Sequence, residues 1–414
     1  YHYYQALNHQ QEKVAFETFI DFVMERWRKD EGMFIYHFAP YEPGAIKRLA
    51  SKHGTRETEV DKLLRAKRFV DLYSIFREAL RASVERYSLK DLELFTEFKR
   101  KIELRTAGAA RRQVEFALEL NAIDAVPLEI LDIVRAYNAD DCFATEALHR
   151  WLEARLVELK TKVGEIPRPL NNDGAASDKT QALEGEALEV YTKLVSSLPE
   201  DKSSLSSIER GRWVLANMID YFRREERCNW WEFFGTQGKD FEDLLDDRNA
   251  IIGLVHTGRD GGTDKNPIHV YSFPNQEISL RPGNDLYDIE RDTILKIGTL
   301  EEISISEGIL KIKKTQKTVD KHPTGVISID QIPSDVLKAS LLSFAKSVAT
   351  KGIDSDAEYR AGRDLLLRNN PRLSTQTTGN LVLPNEETSA AAIRICKGLN
   401  NSILPIQGPP GTGK

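Results

Sequence analysis

Two groups of residues in this sequence have the types and spacing for chemistry. The first is Gly408, Pro409, Pro410, Gly411, Thr412, Gly413 and Lys414, which fits the pattern G-x-x-x-x-G-K. Glycines there let consecutive backbone N–H groups turn inward on a phosphate, and the lysine neutralises its outer oxygens. The second is a pair of acids with a tyrosine. On a helix read from about Leu128 to Leu159, the residues Ile130, Val134, Tyr137, Asp141, Ala144, Leu148 and Leu152 recur at steps of three or four and so share one face. A carboxylate in an apolar stripe is costly unless something positive or hydrogen-bonding meets it. A divalent metal would do so; a backbone group or an arginine is the alternative. Glu42, just past a short strand, is the second acid, and metal-assisted phosphodiester hydrolysis needs several carboxylates converging on ions about 4 Å apart.

The elements that must position these residues are legible from periodicity. Gln10 to Lys29 carries Phe16, Phe19, Ile20, Val23 and Trp27 on one helical stripe. A short strand at Phe34 to Phe38, a helix from Ala45 to about His53 and an apolar run at Phe69 to Tyr73 follow, a succession that implies a sheet layered with helices. Before the glycine-rich loop, Glu387 to Leu399 reads as a helix and Ser402 to Gln407 as a short buried strand. Between these regions, Pro167 to Thr180 has linker composition. Ser207 to Phe234 reads as one long helix whose arginines alternate with glutamates, a solvated face. Trp230, Trp231, Phe233 and Phe234 could stack on bases, but a cluster at a domain junction is the preferred expectation. From Ile251 to Asp330 the period becomes two, with many short strands and a tight hairpin at Glu307-Gly308, which suggests a small β-barrel. Lys311 and Lys313 would lie on its outer face, as a phosphate contact or as a solubilising edge. Helices resume from Ser334 to Arg368.

Composition limits the classes available. A chain of 414 residues implies roughly three domains. Its net charge of −6 gives no global attraction for nucleic acid, so any such binding must come from local patches. Cys142, Cys228 and Cys396 are far apart in sequence, fit no metal spacing and point to a reducing, cytoplasmic setting. No apolar run is long enough to span a bilayer, so no membrane partner is expected. The sequence has no initiator Met and stops inside the loop motif, so we expect a piece of a longer polypeptide.

Residues Tyr137-Asn138-Ala139-Asp140-Asp141 resemble the Tyr-x-x-x-Asp third motif of ribonuclease H-like 3′–5′ exonucleases of the DEDD type with tyrosine. His37 to Glu42 is similar to their second motif, with His37 for Asn, Tyr41 for Phe and Glu42 for Asp. Their first motif, Asp-x-Glu, is expected upstream of Tyr1. More closely, Phe34 to Ala50, Phe69 to Tyr73, Arg81 to Glu85 and Arg135 to Trp151 resemble the ribonuclease H-like domain of bacterial RecB-family nucleases, in which a superfamily 1 helicase follows. The helix, barrel and returning helix resemble the stalk and barrel of superfamily 1 helicases related to the nonsense-decay helicase. These resemblances imply an α/β ribonuclease H-like domain at 1–161, a linker at 162–184, a helical stalk at 185–380 bearing a β-barrel at about 250–330, and the start of a RecA-like P-loop domain at 381–414. They imply Glu42 and Asp141 as ligands of Mg²⁺ or Mn²⁺, Tyr137 orienting the attacking water, Asp71 in a structural Asp-Leu turn, and Gly408 to Lys414 on the phosphates of ATP. The implied partner is DNA or RNA, single-stranded or with a single-stranded end. A glutamine that reads adenine in those helicases has no counterpart around Glu387 to Ala391. The piece alone is expected to be inactive in both reactions. Two alternatives stay open: a ring-forming AAA-type ATPase that remodels proteins, and a helicase whose ribonuclease H-like domain is a catalytically dead binding module.

Overall fold

The stripe Phe16, Ile20, Val23 and Trp27 is buried along α1 (His9–Lys29), whose first turn is capped by the Asn8 side chain accepting from the Gln11 N–H. In this computed structural model, which describes residues 1–168, 172–174, 178–199, 201–290, 293–329, 333–374 and 380–408, the chain forms two units, Tyr1–Ser177 and Asp178–Lys414.

In the first unit, β1 (Ile35–His37) and β2 (Phe69–Asp71) pair in parallel, with α2 (Tyr41–His53) and α3 (Glu57–Arg65) in the crossover. Parallel strands require such a connection. Val23, Trp27, Leu63 and Ala66 form one core cluster. Then α4 (Leu72–Ala79), α5 (Leu89–Leu92), α6 (Leu104–Glu119) and the long α7 (Leu128–Val163) follow. Leu72, Phe76, Leu92 and Leu148 make a second cluster, into which Trp151 packs. The stripe expected on α7 is there, with one change: its buried carboxylate is Asp140, while Asp141 lies at the stripe's edge, partly open to solvent. Part of the linker-like stretch is docked rather than loose. Arg68 donates to the Asn172 carbonyl at 2.9 Å, and Gly174, at φ 67°, sits so close to α3 that a Cβ would come within 2.3 Å of the Lys62 carbonyl oxygen.

The second unit opens with α8 (Asp178–Val195), α9 (Ser207–Met218), α10 (Tyr221–Gln237) and α11 (Phe241–Leu245). The single helix expected from Ser207 to Phe234 is thus two. Asp220 at the break pairs with Arg223 in the first turn of α10, and Arg224 donates to the Asn217 carbonyl near the end of α9. Such contacts satisfy groups that a helix end leaves unpaired. After the strands come α12 (Asp335–Lys351), α13 (Arg360–Leu367) and α14 (Thr388–Gly398). Val190, Leu194, Leu215, Ala216, Ala345 and Val348 give α8, α9 and α12 a common core. Trp230, Phe233 and Phe234 stack among themselves, and Phe233 meets Tyr287 at 5.6 Å, so this cluster fastens α10 to the sheet.

Seven strands, β3 (Ala250–Ile252), β4 (Val255–Gly262), β5 (Pro267–Ser272), β6 (Asp285–Asp288), β7 (Lys296–Ser304), β8 (Ile309–Lys314) and β9 (Gly325–Ser328), pair in the order β3-β9-β6-β7-β8-β5-β4. The expected barrel is not formed. β3 and β4 end the order with no ladder between them, although only Gly253 and Leu254 separate them in sequence. The reason is at Ile252. Its N–H and its carbonyl are both taken by the Gln276 side-chain amide, at 3.1 and 3.0 Å, so the groups that would close a ladder are already satisfied. Gly253, at φ 70°, turns the chain away. The basic edge is also corrected. β8 is an interior strand, Lys311 is paired with Asp260 and Glu302, and Lys314 is fully buried.

At the other end of this unit, Arg372 binds Asp364 and the Asn401 carbonyl, and its N–H donates to the Ser402 hydroxyl at 2.9 Å. Ser402 to Gln407 was expected as a strand but carries no ladder among the described residues. An extended segment becomes a strand when a neighbour accepts its backbone hydrogen bonds. Pro409 to Lys414, all of the expected phosphate loop but Gly408, lie outside the described residues.

Candidate metal and nucleic-acid site

The site is built where β1 and β2 end. Asp71, the last residue of β2, accepts from the N–H of Tyr73 at 2.9 Å and the Ser74 hydroxyl at 3.2 Å, which caps α4, and from the N–H of Ala39 at 2.8 Å. One carboxylate therefore ties the turn after β1 to the turn after β2, a structural role. Ala39 is held at φ 63°, the left-handed region that side chains other than glycine adopt at a cost. The imidazole of His37, buried at the end of β1, donates from Nδ1 to the Ala39 carbonyl at 2.7 Å. This pinned turn delivers Glu42 into the first turn of α2, where the helix dipole favours a negative charge.

The Glu42 carboxyl lies 3.9 Å from His37 Nδ1. Burial among its neighbours raises its pKa; the negative charges of Asp71 and Asp141 push the same way, while its own backbone N–H and His37 oppose them. Asp141, on an element far from Glu42 in sequence, is thus within electrostatic range of it, as the smallest of these influences. Asp141 meets Arg100 at 2.7 Å, and the same guanidinium is held by Glu93 at 2.5 Å. Arg100 also lies 5.5 Å from the centre of the Tyr137 ring, with Lys90 at 5.7 Å. Tyr137, one turn before Asp141, therefore stands between two cations. Asp140 next door has a separate task. Its Oδ2 accepts from the N–H groups of Lys101 and Ile102 at 2.8 and 3.0 Å, which anchors the segment carrying Arg100 against α7.

Hard carboxylate oxygens suit Mg²⁺ or Mn²⁺, and a carboxyl whose ionisation is opposed by burial and neighbouring acids, as at Glu42, is relieved by a cation. By donor chemistry Glu42 and Asp141 fit such an ion, with Arg100 as the cation that meets Asp141 in this structure. Arg100 and Glu93 were missed in the sequence, because no local pattern connects them to Asp141.

Two other groups of described side chains bring three metal-capable atoms within 4.8 Å of one another: His256 with His269 and His322, and His9 with Glu12 and His53. Both escaped the sequence reading. Neither has a recognisable ligand spacing, and the one available signal was that three of the chain's eight histidines fall in its strand-rich stretch.

The N-terminal unit is thus an α/β region whose acids gather at the carboxyl ends of parallel strands, where sheets of this type bind ligands. Residues 1–153 match a family model described as the RNase_H superfamily, which this region accordingly resembles. No curated protein matches the chain. Among the described residues, no helix is long and apolar enough to cross a membrane.

Proposed function

We propose that the N-terminal region is a metal-dependent nuclease domain acting on DNA or RNA as a 3′–5′ exonuclease, and that the chain belongs to a nuclease–helicase. The nuclease half is supported by the position of Glu42 just past the end of a parallel strand pair, with Asp71 and Asp141 both bearing on its charge. Glu42 and Asp141 would hold Mg²⁺ or Mn²⁺, which supplies activation of water and stabilisation of the leaving oxygen. Tyr137 orients the attacking water from one helical turn away. Lys90, exposed beside that ring, offers positive charge to the phosphate backbone of a single strand. The motor half rests on sequence: Gly408 to Lys414 would cradle the phosphates of ATP. Cys142, Cys228 and Cys396 form no disulfide with one another, in keeping with the cytoplasmic setting we propose.

Mn²⁺ binding followed by electron paramagnetic resonance tests the ligands without any need for turnover: Asp141→Asn and Glu42→Gln each weaken it. Hydrolysis of a 3′-labelled single strand, measured in the protein extended upstream through the expected Asp-x-Glu motif, tests the reaction. The ion pair between Arg100 and Asp141 favours a second reading, a binding module that does no cutting. Unchanged hydrolysis in Asp141→Ala would establish that second reading.

A further inference from the structure

Three imidazoles from separate segments meet at one edge of the sheet in the second unit. His256 lies on β4, His269 on β5, and His322 in the connection between β8 and β9. A register shift between His256 and Gly258 interrupts the β4–β5 ladder, and bulges of this kind re-aim side chains. On the neighbouring strand, His269 and Tyr271 point to the same buried face.

The hydrogen bonding of the cluster is incomplete. His256 Nε2 lies 2.9 Å from His269 Nδ1 and 3.0 Å from the Gly258 carbonyl. A carbonyl can only accept, so Nε2 of His256 carries the hydrogen, which leaves Nδ1 of His269 as an acceptor and puts that ring's own hydrogen on Nε2. His269 is 7 % exposed, and its Nε2 has no hydrogen-bond partner. The lone pair this ring has to offer a cation is therefore the one on Nδ1. His322 is better placed: its Nδ1 is 3.0 Å from the Tyr271 hydroxyl. A hydrogen bond at one ring nitrogen that leaves the other free is the usual way a protein orients a metal-binding histidine. The rings of His256 and His322 are stacked, with centroids 3.8 Å apart.

We propose that His256, His269 and His322 form a binding site for a borderline divalent cation of the zinc class, fastening the β4–β5 hairpin to the loop before β9. Three neutral imidazoles suit such an ion and do not suit Mg²⁺. The ion takes the place of the hydrogen between His256 and His269: that hydrogen moves to Nδ1 of His256, which frees its Nε2, His269 presents Nδ1, and the Tyr271 hydroxyl holds His322 in place. His256 and His322 reach solvent, so water completes the shell. The charges nearby are Arg259, which is paired with Asp264, Lys314, whose ammonium is held by the Lys321 carbonyl, and Asp320. The other candidate, His9 with Glu12 and His53, is weaker because Lys52 already occupies the Glu12 carboxylate at 2.6 Å.

The test is titration of the chelator-stripped chain with Co²⁺, read by its visible absorption, and with Zn²⁺, read by calorimetry. His256→Ala and His322→Ala change exposed residues and leave the buried ring in place; circular dichroism checks their fold. Loss of a group that only orients a ligand costs about 10–100-fold, so each of these variants is expected to weaken binding at least that much, with His9→Ala unchanged. Absence of binding by the unaltered chain would overturn the assignment. So would equal binding by the His256→Ala and His322→Ala chains, or binding that disappears in His9→Ala.

Discussion

The carboxylate site of the first unit and the histidine cluster of the second are both suited to a cation, and they reach that state by opposite routes. Glu42 and Asp141 carry charge: burial, with a smaller push from Asp71 and Asp141, raises the Glu42 carboxyl, and Arg100 answers Asp141. The histidines carry little charge. Burial and the cations around it lower the His269 pKa to about 4, which keeps its ring neutral and able to donate a lone pair. The first site has acids drawn together around a guanidinium, whereas the second has ligand atoms already within 4.8 Å. Charge excess and geometric readiness are therefore separable, and variants can probe each by itself.

The sharpest break is at Asp141. In the protein extended upstream, Asp141→Asn is expected to lower hydrolysis of a labelled single strand by at least about a hundredfold, since loss of a group that orients a ligand already costs 10–100-fold. Its neighbour should behave differently. Asp140→Ala strands the N–H groups of Lys101 and Ile102, and urea unfolding should show a loss of about 2–4 kcal/mol. An equal loss from Asp141→Ala would mean that the two adjacent acids share one structural task. On the histidine side, Tyr271→Phe removes the hydroxyl that orients His322; calorimetry should find Zn²⁺ bound about 10–100-fold more weakly, with stoichiometry intact.

Acid should separate the frame of the second unit from its histidines. Burial works to raise the Asp247 carboxyl, but Lys239, the Asn249 N–H and the Thr236 hydroxyl together hold it below its ordinary value of 3.8. A carboxyl depressed in the folded state stabilises fully above its unfolded value, and that contribution is lost as pH falls through the folded one. Asp247→Asn should therefore cost about 1–2 kcal/mol at neutral pH, the range of a charge-assisted hydrogen bond, and nothing once acid has protonated the native residue. Melting curves at several pH values check this. The smallest effect is expected at Ala39, where glycine relieves a left-handed backbone but gains freedom in the unfolded chain. Ala39→Gly should change stability by less than about 1 kcal/mol.

Much of the frame was legible because it is local. The stripe on α1, the α7 helix and the span of α14 follow from spacing and residue type, and the Asp71 turn is what the family resemblance implied. Where expectation failed, a distant group had intervened. Gln276 occupies Ile252, and the sheet stays open. The exception is local: Asp220 takes Arg223 three residues on, and one expected helix becomes two. Lys311 looked like part of an edge because the pairing of β8 with both β5 and β7 is invisible in its own sequence.

The sequence by itself determined where apolar stripes run, which helices they make and that acids stand near strand and helix ends, because those properties depend on residues a few positions apart. Tertiary structure alone decided which charges meet. It put Asp140 rather than Asp141 inside, set Arg100 against Asp141, and drew His256, His269 and His322 together. Electrostatic and ligand interactions act through space over a few ångströms, and only the folded chain establishes which distant residues come within that range.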